Sequence, residues 1–200
     1  MDTRFGDIAA AVDRTLPRTP RLVVIGSSSF LHPDSERTCV AVGRNLANIC
    51  SLAVITGGRT GVGETVGRSV HRSRLNNDQE PQVYHLLPIG FSPLDYGKTL
   101  FCGRHMIERR EVLGRVANLY LAIEGGPGTE YEATVALSKG ATVIPVGRSG
   151  GYSGNLYGTM AVPRGLCARD WRTLGVDGVG QDELAEAVKT IVSAFLSEGV

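Results

Sequence analysis

The residues with the most chemical promise stand together in Ile123-Glu-Gly-Gly-Pro-Gly-Thr-Glu-Tyr-Glu132. An apolar run ends there, three glycines and a proline force a sharp loop, and a helical pattern starts near Thr129. Gly125, Gly126 and Gly128 have no Cβ, so the backbone can come close to an anion. The free amide groups of a helix start then point at that anion, and Thr129 adds a hydroxyl donor. Such geometry suits a phosphate. Two carboxylates follow, Glu130 and Glu132. Glu132 lies three residues past Thr129, which is also the spacing of a capping box, so the same residues would serve a plain strand-to-helix turn.

Upstream, Met106-Ile-Glu-Arg-Arg110 carries Arg109 and Arg110 on a helical stretch. Arginine is always charged and offers a planar fork to phosphate or carboxylate. The same pattern also describes a solvated helix face of Glu108, Arg109 and Arg110. Two further turns follow apolar runs: Gly26-Ser27-Ser28-Ser29, and Thr56-Gly57-Gly58-Arg59-Thr60-Gly61-Val62-Gly63. Each can give backbone and hydroxyl hydrogen bonds to a ribose or a phosphate, and each is also what loop–helix junctions favour. The dinucleotide fingerprint GxGxxG is missing after the first apolar run, and no acidic residue ends the second. Nicotinamide cofactors are therefore not expected, and the GxxxxGK[ST] phosphate loop is absent too. His85 reads as a satisfied interior residue, whereas His105 stands beside the arginine helix. Tyr96, Tyr152 and Tyr157 lie in Gly-rich segments from which they could stack on a base. Trp171 is expected to pack under the last helix.

Short apolar runs alternate with helical patterns and must position these groups. Strands are expected at 21–26, 52–56, 83–87, 117–123 and 141–146. Helices are expected at 34–50, with Asp34 or Ser35 as N-cap, and at 63–72, 105–113 and 129–139, the last closed by Gly140. A final helix is expected at 181–197, with Leu184, Val188, Ile191, Val192 and Phe195 inward, and an N-terminal one at 5–16. Residues 88–103 read as a loop, and the five glycines of 147–158 leave that segment undetermined. The alternation implies a single α/β domain over 1–200, Rossmann-like, with a parallel sheet covered on both faces. The Gly-rich turns follow the first, second and fourth of these strands. All would lie at carboxyl ends, where open α/β sheets bind ligands.

Composition narrows the class. Lys+Arg number 21 against 20 Asp+Glu, which argues against a nucleic-acid partner held by bulk charge. Glycine makes up 26 of 200 residues, about twice the usual ~7%, without a collagen period. Four cysteines without CxxC spacing imply neither a disulfide scaffold nor a metal site, and Cys39 and Cys50 read as buried thiols. No signal-like or membrane-spanning run stands out, so a cytoplasmic protein is expected.

Taken together, these motifs resemble those of the Lonely Guy (LOG) family, long called "lysine decarboxylase-like". Glu124 to Glu132 looks like its PGGxGTxxE motif, and Met106 to Arg110 like its MHxRK element. Gly26-Ser-Ser resembles its first-strand turn, and Gly57 to Gly63 its GGGxxGLMG turn. The four matches come in the family's order between residues 22 and about 146. The resemblance implies a homodimeric phosphoribohydrolase of AMP-like nucleotides that needs no metal or other cofactor. The family's key arginine falls on Arg109 and its key glutamate on Glu132. Phosphate contacts fall to the 125–129 turn.

The sequence also departs from the family's pattern. Glu124 replaces a proline and places a negative charge beside the expected phosphate seat, a place where Arg59 could compensate. Ile107 replaces a histidine, Arg110 a lysine, and Glu64 and Glu130 add acids. Two functions stay open: hydrolysis of the nucleotide's N-glycosidic bond, and binding of a nucleotide or ADP-ribose-like ligand without turnover. A structural role in which the glycines only shape turns is the third.

Overall fold

The computed structural model describes residues 3–197. In chain order these form α1 (Thr3–Asp13), β1 (Arg21–Gly26), α2 (Ser35–Ala47), β2 (Ala53–Thr56), α3 (Val62–Asn76), β3 (Val83–Leu87), β4 (Lys98–Phe101), α4 (Met106–Leu113), β5 (Leu119–Ile123), α5 (Pro127–Ser138) and β6 (Thr142–Val146). A 3₁₀ turn (Gly147–Ser149), α6 (Gly151–Thr159), α7 (Ala168–Thr173) and α8 (Gln181–Ser197) complete the chain.

Period-two patterning sorts each strand's side chains onto two faces. Leu22 and Val24 of β1 join one core with α2, α3, α7 and α8, while Val23 and Ile25 join the other with α1, α4 and α5. Both faces being buried, the strands read as continuous apolar runs. The six strands are parallel, in the order β4-β3-β2-β1-β5-β6. The chain winds outward from β1 through β2, β3 and β4, then returns to place β5 on β1's other side. β1 and β5 therefore form the switch point, where a crevice opens beyond the carboxyl ends. Gly26 and Ile123, the last residues of these two strands, are register partners.

The expected α/β fold with a parallel sheet is present, with four local differences. The loop expected at 88–103 contains β4, an edge strand of four residues. The Gly-rich 147–158 segment is mostly helical, as α6. Neither Asp34 nor Ser35 caps α2 through its side chain, because Ser35 Oγ bonds Glu124 instead. Cys39 is buried, but Cys50 is exposed, since α2 stops at Ala47 and leaves it in a turn. As expected, Leu184, Val188, Ile191 and Val192 are buried under α8, with Trp171 in the same core. Among the described residues no helix is long and apolar enough to cross a membrane.

Candidate functional site

A cleft of about 500 Å³ lies over the β1/β5 switch point. Hollows of similar size occur elsewhere, among them one of about 510 Å³ at the amino ends of the strands. The cleft at the switch point gathers Gly turns, helix starts and a buried ion pair.

Its floor is formed by Arg109 of α4 and Glu132 of α5, which are 3% and 6% exposed. Arg109 Nη1 donates to Glu132 Oε1 over 2.5 Å. The solvated helix face that the sequence also allowed is therefore not what forms. Burial pushes the Glu132 carboxyl above its usual value, and the Arg109 charge opposes that shift. Burial likewise lowers Arg109, with Glu132 opposing. Among the described residues Arg109 Nε is buried without a hydrogen-bond partner. Gly57 makes the close approach possible: a Cβ there would stand 2.8 Å from Arg109 Nη1.

One wall is the start of α5. Pro127 occupies the first helical turn, where its missing N–H costs nothing. The amides of Gly128 and Thr129 have no acceptor within the helix, and the helix dipole adds partial positive charge there. Arg110 lies across this helix start, since a Cβ on Gly128 would stand 2.7 Å from its Nη2. Gly125 has φ +104, and Thr129 packs directly against it. Glu130 points outward and is exposed.

The opposite wall joins the two other Gly turns. Val62 N–H donates to the Ser27 carbonyl over 3.0 Å, and Thr60 Oγ1 donates to the Ser28 carbonyl over 3.0 Å. No carboxylate within ion-pair distance is found for Arg59 or Arg110 among the described residues.

The cleft thus brings together Gly26, Ser27, Ser28, Gly57, Arg59, Thr60, Arg109, Arg110, Gly126, Gly128, Thr129 and Glu132. Gly58 and Gly125 do not line it; both have positive φ and shape the turns from behind. Two hydroxyls expected to face a ligand are committed internally, that of Ser27 to Glu124 and that of Thr60 to the Ser28 carbonyl.

Glu124 departs most from expectation. It does not face the α5 phosphate seat. It is fully buried and turned toward the β1–α2 loop, where it accepts from Ser27 Oγ, Ser35 Oγ and the amides of Leu31 and His32. Leu31, Ser29, Gly63, Met106 and Pro127 also line the cleft unforeseen. Ser29, Gly63, Met106 and Pro127 lie within the quoted motifs and could have been found from the sequence; Leu31 lies outside them.

The aromatic residues are occupied elsewhere. Tyr96 is buried edge-on against His85. Tyr157 stacks on Trp171 with ring centroids 5.6 Å apart. Tyr152 packs on the α1/α4/α5 core. His85 is the satisfied interior residue expected, between Thr56 Oγ1 at 2.9 Å and the Tyr96 carbonyl at 3.1 Å. His105 precedes α4 outside the cleft. Among the described residues no cluster of three or more His, Cys, Asp or Glu is arranged to hold a metal.

A parallel sheet in this order, with its ligand crevice at the switch point, defines a Rossmann-like α/β protein. No family model matches the chain, and no curated protein does. Solved structures share the fold. The structural-genomics protein TM1055 is 26% identical with a TM-score of 0.59, over 76% of this chain and 88% of that one. The molybdenum cofactor binding protein from the phototrophic bacterium Rippkaea orientalis is 19% identical with a TM-score of 0.61, over 88% and 98%. The Moco carrier protein from Chlamydomonas reinhardtii is 21% identical with a TM-score of 0.52, over 63% and 75%.

Proposed function

We propose that the switch-point cleft binds a nucleoside 5′-monophosphate and hydrolyses its N-glycosidic bond, releasing a purine-type base and ribose 5-phosphate. One observation carries this reading: the Arg109–Glu132 pair and the unpaired amides of α5 face one cleft of about 500 Å³, well inside the range of small-molecule sites. The 5′-phosphate would sit on the Gly128 and Thr129 amides under the Arg110 guanidinium. Glycosidic cleavage passes through an oxocarbenium-like state, which the Glu132 carboxylate would stabilise. The same carboxylate would take a proton from the attacking water as the water oxygen bonds to C1′. The C1′–N bond breaks with its electron pair on the base, which Arg109 stabilises; the proton taken by Glu132 then passes to the base through solvent, regenerating the carboxylate. This reading takes the chain as one cytoplasmic domain acting as a homodimer, without metal or cofactor.

The test is incubation of purified protein with AMP and N6-substituted AMP, following free base and ribose 5-phosphate. Turnover that disappears in Glu132→Ala supports it. No product across a nucleotide panel rejects it.

A second reading is binding without turnover. It is favoured by the buried ion pair, in which Arg109 Nη1 and Glu132 Oε1 are already committed to each other. The names of the cofactor-binding and carrier proteins that share the fold point the same way. Thermal stabilisation by a phosphorylated ligand that stays chemically intact would establish it.

A further inference from the structure

The turn after the first strand of a parallel sheet, with the helix start behind it, is where backbone amides ordinarily receive a phosphate. Here that turn runs from Gly26 to α2, and its donors converge on one point. Leu31 N–H and His32 N–H each donate over 3.0 Å to Glu124 Oε1. Ser35 Oγ donates to the same oxygen, and Ser27 Oγ to Oε2. Four donors from nine residues therefore surround a carboxylate with no solvent exposure. Glu124 reaches them from a backbone φ of +55, a left-handed conformation uncommon for a side chain of this kind. That conformation is held by Ser149 Oγ, which accepts the Glu124 N–H over 2.7 Å, and by Ser153 N–H, which donates to the Glu124 carbonyl over 3.0 Å.

The geometry points to Glu124 as a specificity-determining residue. Its carboxylate fills the anion seat of the β1–α2 turn from within, so the cleft takes ligands bearing a single phosphate, held at the start of α5. This deepens the proposed function and rests on its reading of the α5 seat. It also gives a physical reason why the chain lacks the dinucleotide fingerprint: the second phosphate's place is occupied by the protein itself.

The test counts phosphate ions bound per chain by equilibrium dialysis with radiolabelled inorganic phosphate, for the wild type and Glu124→Gly. Glycine accepts the positive φ and removes the carboxylate. The expected result is one more phosphate per folded chain in the variant than in the wild type. A wild-type value of one and a variant value of two supports both seats. Zero and one upholds the plugged turn and sinks the α5 seat. Equal numbers in a variant whose circular dichroism matches the wild type overturn the proposal. If Glu124→Gly does not fold, Glu124→Asn is used, because asparagine tolerates the positive φ and its shorter side chain draws the acceptor away from the Leu31 and His32 amides. The Leu31 and His32 amides should then exchange with solvent at least about tenfold faster, with α8 unchanged. Unaltered exchange at both amides overturns the proposal.

Discussion

Arg109 Nη1 and Glu132 Oε1, 23 residues apart in sequence and on different helices, close a buried ion pair beneath the switch-point cleft. Each charge makes the other's burial tolerable. Removing one leaves the other uncompensated, at a cost of about 3–5 kcal/mol. Arg109→Ala and Glu132→Ala should each lose about that much in urea denaturation. The double variant should lose clearly less than the sum, because the partners are coupled. Additive losses would show that the pair contributes nothing as a pair.

Burial raises the Glu132 carboxyl above its usual value of 4.5. If Glu132 accepts the water proton, only its ionised form works. Hydrolysis should therefore fall as pH decreases, with a midpoint above 4.5 in kcat/KM. Glu132→Gln should lower kcat by about 10²–10⁴-fold while AMP still stabilises the fold. A rate independent of pH between 4.5 and 7 would remove Glu132 from the chemistry.

Gly57 is the contact that makes room for the guanidinium. Gly57→Ala would push Arg109 off Glu132, since the added carbon would stand 2.8 Å from Nη1. Overpacking of this sort costs about 1–3 kcal/mol. AMP-dependent stabilisation should fall at least about tenfold in apparent affinity. An alanine variant that binds AMP as the wild type does would mean that the pair's position is unimportant for binding.

His85, which does not line the cleft, makes stability depend on pH. Burial lowers it from 6.5 to about 4. The native state then binds fewer protons than the unfolded state between those values, so stability is full above about 6.5 and is lost as pH falls toward 4. By pH 5 the loss should be roughly 2 kcal/mol. Urea midpoints measured at pH 7 and pH 5 check this, and His85→Asn should flatten the difference. An equal slope in the variant would assign the pH dependence to other groups.

Much of the sheet and most of the cleft were legible in the sequence because they follow local rules. Apolar runs end in glycine, helices start just after, and Arg109, Arg110 and Glu132 lie on the helices expected for them. β4 was not legible. Lys98-Thr-Leu-Phe101 is a sheet edge with both end residues exposed, and Pro93 and Gly97 precede it as loop signals. α6 was not legible either, because its glycines oppose helix formation. It is held by tertiary bonds, Ser153 Oγ to the Ala122 carbonyl at 2.7 Å and Tyr157 Oη to the Trp171 carbonyl at 3.1 Å. The destination of the Glu124 side chain was hidden for a related reason: its partners lie 89 to 97 residues away, beyond the reach of any spacing rule.

The start of α6 bonds the back of the turn that faces the cleft, with Tyr152 N–H on the Gly125 carbonyl at 2.8 Å and Ser153 N–H on that of Glu124. One jaw of the cleft is thereby clamped from its blind side. Accommodation of a larger or smaller guest falls to the floor, the eight-residue α4 and the arginines it carries. Variants of α4 should tune the fit of the guest, while the number of phosphates accepted stays set at Glu124 in the clamped turn.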